Sequence, residues 1–142
     1  MMGTAVWALQ AGGVETGDLE TGSVVGQRFK ELSVDLDIHA TEIGGLKVLY
    51  PPMAVLDLKS RPGTPVLLRV TNRSTSERGF HMTTAANQAA PTVLNVQLVL
   101  KPGESKYIGI PTSDLLYAAG ATFVYRDPLN QKDPGGTLLL LK

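Results

Sequence analysis

Apolar side chains recur at every second position in short runs, and turn-forming residues cut each run off before it lengthens. The clearest run has Val34, Leu36 and Ile38 alternating with Asp35, Asp37 and His39. Successive side chains of an extended chain point to opposite faces, so this segment buries one face and wets the other. The same period returns in Val66, Leu68 and Val70, and in Leu94, Val96, Leu98 and Leu100. Further extended runs are expected at 46–49, 53–58, 79–83, 106–110, 122–126 and 137–141. Pro51-Pro52, Arg61-Pro62-Gly63-Thr64 and Lys101-Pro102-Gly103-Glu104 stand between them as turns. Helical periodicity is confined to 113–119, enough for one short turn with Ser113 as its cap. Roughly seven or eight strands at this spacing predict an all-β, two-sheet Greek-key sandwich.

A chain of 142 residues makes one such domain, burying about two-thirds of its unfolded surface. Thirteen basic and thirteen acidic side chains cancel, without the cationic excess by which a nucleic-acid binder displaces counterions. The sequence has no cysteine, which removes disulfides, thiolate nucleophiles and metal sites built on Cys sulfur. Residues 1–11 are apolar (Val6, Trp7 and Leu9 among small residues) but short of the roughly 20 that span a bilayer. Their composition reads either as the tail of an export signal or membrane anchor or as a frayed, partly buried N-terminal arm. Residues 12–26 hold five glycines with Glu15, Asp18 and Glu20, and are expected to be a linker or loosely docked arm. The expected division is an apolar segment and arm over 1–30 and a sandwich over 31–142.

Three motifs follow in order. Thr71-Asn72 precedes Glu77-Arg78-Gly79-Phe80-His81; Leu100-Lys101-Pro102-Gly103-Glu104-Ser105 makes a middle turn; Phe123-Val124-Tyr125-Arg126-Asp127 leads to Gly135-Gly136-Thr137-Leu138. In order and spacing they resemble the cupredoxins over residues 33–142. The resemblance implies a sandwich whose copper, where present, ties two loops together at one end. A blue-copper site takes two imidazoles, a thiolate and a weak axial partner such as Met. Arg78 stands where the family places its first His, and Asp127 where it places Cys. Between Asp127 and Gly135 there is neither His nor Met. A guanidinium stays protonated and offers no lone pair to a metal. The resemblance therefore implies the scaffold without a cofactor. Across the vacated copper position, Arg78 and Asp127 are expected to face each other, where a bidentate bridge can serve as a clasp.

Other residues carry little chemistry. His81 and Met82 are neighbours on one strand, so alternation sends them to opposite faces and keeps them off a common ion. Asp35 and His39 share a face, but at about 3.3 Å per residue they stand roughly 13 Å apart, and a solvated strand face is expected. The hydroxyls of Ser74, Thr75 and Ser76 have no identifiable activating partner. Asn72-Arg73-Ser74 matches a glycosylation triplet of the kind that arises by chance. The expected protein is no enzyme. It is a structural or interaction module, periplasmic or otherwise extracytoplasmic, serving as accessory subunit of a respiratory or photosynthetic complex and associated with the membrane through residues 1–11. Arg78, Phe80, Pro128, Leu129 and the small apolar run 85–91 are its candidate contact residues. A different class of reading is metal handling, with copper held by His81, Met82, Met53 or His39 in a rearranged site.

Overall fold

The alternating runs pair into two stacked sheets in the computed structural model, which describes residues 14–59, 63–84, 95–116 and 122–142. The first sheet is built from β1 (Glu15–Gly17), β4 (Leu36–Ile43), β5 (Leu46–Tyr50), β7 (Val66–Asn72) and β10 (Ser105–Ile110), in the order β1-β10-β7-β4-β5. The second uses β6 (Met53–Asp57), β8 (Arg78–Thr84), β9 (Asn95–Leu100), β11 (Thr122–Arg126) and β12 (Gly136–Leu141), in the order β6-β12-β11-β8-β9. A two-residue hairpin, β2 (Ser23–Val24) with β3 (Gln27–Arg28), stands apart. The β4–β7 and β6–β12 pairs run parallel and the rest antiparallel. Two antiparallel-rich sheets crossed by the chain in this way form the all-β sandwich expected from the periodicity.

The period of two places the core. Ile38, Leu68, Ile108, Phe80, Phe123 and Leu138 meet between the sheets, all inaccessible to water. The switch from β5 to β6 carries the chain from one sheet to the other through Pro51 and Pro52, with a cis peptide at Tyr50–Pro51. There the hydroxyl of Tyr125 donates to the Pro51 carbonyl. A single helical turn, α1 (Thr112–Leu116), buries Leu115. It begins one residue before Ser113, so that serine lies inside the turn rather than capping it, while Thr112 Oγ1 donates to the Thr64 carbonyl at 2.7 Å.

The expected arm over 1–30 is corrected from Val14 onward. β1 pairs with β10, Glu15 opposite Gly109, and Val14 enters the main core. Val24 and Phe29 then fold over the outer face of the first sheet, covering Leu67 and Tyr107 in a small second core. The glycines that suggested a flexible tether make room for this layer. A Cβ on Gly109 would lie 2.7 Å from Phe29 Cε1, and one on Gly22 would lie 2.2 Å from Phe29 Cδ2. The outer face of the second sheet has no such layer among the described residues, and Met53, Val55, Val99 and Leu141 lie exposed there. No described helix is long and apolar enough to cross a membrane. The apolar segment 1–11, the Arg61-Pro62 turn, the run 85–91 and Leu94 lie outside the described residues.

Candidate functional site

At the end of the sandwich where β8 begins and β11 ends, a charged side chain is sealed from water. Arg78, Phe80, Met82 and Thr84 share the inward face of β8, so strand alternation drives the Arg78 guanidinium into the interior. Its accessibility is 0%. Such a charge survives burial only when its donors are met. Nε donates to Asp127 Oδ2, and Nη2 donates to Asp133 Oδ2 at 2.7 Å. Nη1 reaches the Thr41 carbonyl of β4 at 3.0 Å, and Nη2 reaches the Val48 carbonyl of β5 at 3.3 Å.

The loop from Asp127 to Gly135 is folded to present both carboxylates. Asp127 Oδ1 accepts the backbone N–H of Gly79 and of Leu129, each at 2.9 Å, while Oδ2 also accepts Asn130 Nδ2 at 2.8 Å. Asn130 N donates to the Asp127 carbonyl at 3.1 Å and Asp133 N to the Asn130 carbonyl at 2.9 Å, winding the loop into successive turns. Asp133 Oδ1 accepts Gly135 N–H at 2.8 Å. Gly135 has φ +71°, and a Cβ there would lie 2.5 Å from the Tyr125 carbonyl. Burial pushes the Asp127 carboxyl up; the donors from Arg78, Asn130, Gly79 and Leu129 together outweigh it and hold the group below its ordinary value.

The expected bridge between Arg78 and Asp127 was a bidentate fork. The structure divides the guanidinium among two carboxylates and two carbonyls instead, each carboxylate taking one of its nitrogens. Asp133, Thr41 and Val48 were missed. The repeated Asp-Pro step, at Asp127-Pro128 and Asp133-Pro134, was the available hint that both aspartates begin tight turns of one loop.

Arg78 and Phe80, expected among the exposed contacts of this end, are corrected: both are fully buried. Two residues beyond Arg78, Phe80 lies on the same inward face and packs on Tyr125 with ring centroids 5.7 Å apart. Pro128 and Leu129 are exposed at the loop surface, Leu129 at 50%. His81 and Met82 diverge: Met82 is in the core, and His81 shares a 2.7 Å hydrogen bond with Asn95 on the opposite face. His39 accepts Arg73 Nε at its Nδ1, at 2.8 Å, while Met53 lies exposed on β6. The run Asp35, Asp37, His39 is more than a solvated face. Asp35 accepts the Leu67 N–H at 3.0 Å, and the Arg69 guanidinium beside Asp37 holds that carboxyl below its usual range. Asn72 is fully buried, its amide spent on Ser76, Leu100 and Ser74, so no glycan can attach to it in the folded chain.

These donors do not fit copper. A protonated guanidinium lies at the position that the resemblance gives to an imidazole, and the two carboxylates beside it are committed to N–H donors. Among the described residues, no three His, Asp or Glu side chains gather as a metal site.

No family model matches the sequence, and no protein of curated function matches it. Solved structures do. Dithionite-reduced auracyanin from the photosynthetic bacterium Roseiflexus castenholzii superposes with a TM-score of 0.52 at 13% identity, over 76% of this chain and 97% of its own. A purple cupredoxin from Nitrosopumilus maritimus gives a TM-score of 0.47 at 11% identity, over 75% of this chain and 99% of its own. At 13% identity the likeness to auracyanin concerns the fold alone, and together with the two sheets it shows a cupredoxin-like β-sandwich fold.

Proposed function

We propose that this domain is a non-catalytic, copper-free interaction module, an accessory subunit of an exported or membrane-associated complex. The observation that carries the reading is the Arg78–Asp127–Asp133 cluster: the end of the sandwich at which cupredoxins hold copper is filled by a fixed ionic lock. Ser74 and the two histidines, which sequence reasoning weighed as candidate chemistry, are tied to structural partners. Ser74 Oγ donates to Asn72 Oδ1 at 2.7 Å, and His81 and His39 are each engaged by a neighbouring side chain. Outward on the loop held from within by this cluster stand Pro128 and Leu129, beside the polar Gln131 and Lys132. A rigid, partly apolar loop on a stable scaffold is suited to docking a protein. The apolar composition of residues 1–11 suits membrane association, and the respiratory or photosynthetic setting rests on analogy of fold alone.

The test is affinity purification of the tagged protein from detergent-solubilised native membranes, with stoichiometric partners identified by mass spectrometry. A multi-subunit complex that Leu129→Asp disperses supports the reading. Recovery of the protein alone, or only in the soluble fraction, defeats it. A copper titration runs alongside: saturable binding at micromolar concentration would turn the domain back into a metal-handling protein.

A further inference from the structure

We infer that Arg78 is this molecule's built-in cation, held in a cage that selects a guanidinium and closes the end of the sandwich independently of any metal. The inference does not depend on the proposed partner complex, since it concerns how one end of the domain is shut.

Three separate parts of the chain converge on one planar group. The Thr41 carbonyl comes from β4, the Val48 carbonyl from β5, and Asp127 and Asp133 from the loop between β11 and β12. Arg78 itself comes from β8, so three strands and the β11–β12 loop are tied through one residue. The acceptors meet Nε, Nη1 and Nη2, which suits the flat fork of a guanidinium. An ammonium brings only three donors on one atom and cannot reach acceptors spread around a plane. The cage oxygens are also braced from behind: Gly79, Leu129 and Gly135 N–H and Asn130 Nδ2 hold the carboxylates in place. A preformed, braced ring of acceptors is a binding site, and its occupant is covalently attached. Because arginine neither titrates nor changes oxidation state in the physiological range, the closed end has one form whatever the metal supply or redox poise.

The test vacates the cage and refills it. Arg78→Ala is unfolded thermally in guanidinium chloride far below denaturing concentration, against sodium chloride of equal ionic strength and against urea. The wild-type midpoint falls with added guanidinium. The variant midpoint is expected to rise first, by about 4 °C at roughly ten times the dissociation constant of the refilled site. A variant that falls in step with the wild type overturns the inference, as does rescue by copper, zinc or calcium to the same extent. Should Arg78→Ala not fold, Arg78→Lys decides the matter. It keeps the charge and loses the fork, so hydrogen exchange at the Gly79, Leu129 and Gly135 amides is expected to accelerate at least tenfold relative to strand amides. A lysine variant with wild-type protection at those three amides shows that any cation serves and sinks the cage.

Discussion

Asp127 accepts four hydrogen bonds within one buried carboxylate, so its removal is felt by four donors together. Asp127→Asn leaves Asp133 as the remaining carboxylate on Arg78 and sets an amide among four buried donors, a loss of about 1–3 kcal/mol. That loss is read from urea unfolding at neutral pH. The pH dependence has a definite sign. The folded carboxyl lies below its ordinary value, so the unfolded chain binds the proton more readily. Its contribution is full above the unfolded value of about 3.9 and is lost as pH falls through the folded one. Asp127→Asn is therefore expected to flatten the acid limb of the stability profile. At the β2–β3 turn, Val25 has φ +51° with its side chain 69% exposed, a left-handed backbone that a β-branched residue adopts only under strain. Val25→Asn is expected to stabilise the domain by about 1 kcal/mol, measured by the same unfolding.

Among the elements, strands were easier to foresee than their neighbours. Val96, Leu98 and Leu100 alternate in sequence and face inward in β9, because a period of two has a single physical meaning in an extended chain. The stretch from Gly12 to Gly26 was not legible, because glycine signals either freedom or close approach and a single sequence does not distinguish them. Gly109 settles the choice only once Phe29 is seen above it. Gly109→Ala is expected to cost about 1–3 kcal/mol by forcing Phe29 and Val24 outward, and calorimetry on that variant measures it. The locked end was half legible. Arg78 and Asp127 emerged from motif order, but Thr41, Val48 and Asp133 are brought to Arg78 by sheet pairing and loop winding, which leave no periodic trace.

Over the whole molecule, acid and alkali act at different places. Asp127 governs part of the acid limb; on the alkaline side the buried Tyr125 hydroxyl is pushed up to about 12 by desolvation. Its neutral form is the one the fold holds, so its contribution is intact below the unfolded value of about 10 and is lost as pH rises toward the folded one. Tyr125→Phe is expected to remove that alkaline dependence while costing about 1 kcal/mol at neutral pH through the lost bond to Pro51, as equilibrium unfolding across pH would record. The layer of Val24 and Phe29 has a consequence at this scale too. It covers the first sheet over β7 and β10, while among the described residues Met53, Val55, Val99 and Leu141 lie in the open on the second. The molecule thus has a back and a front. A partner that grips the second sheet broadside leaves this layer in place, and among the described residues there it meets side chains of valine, leucine and methionine.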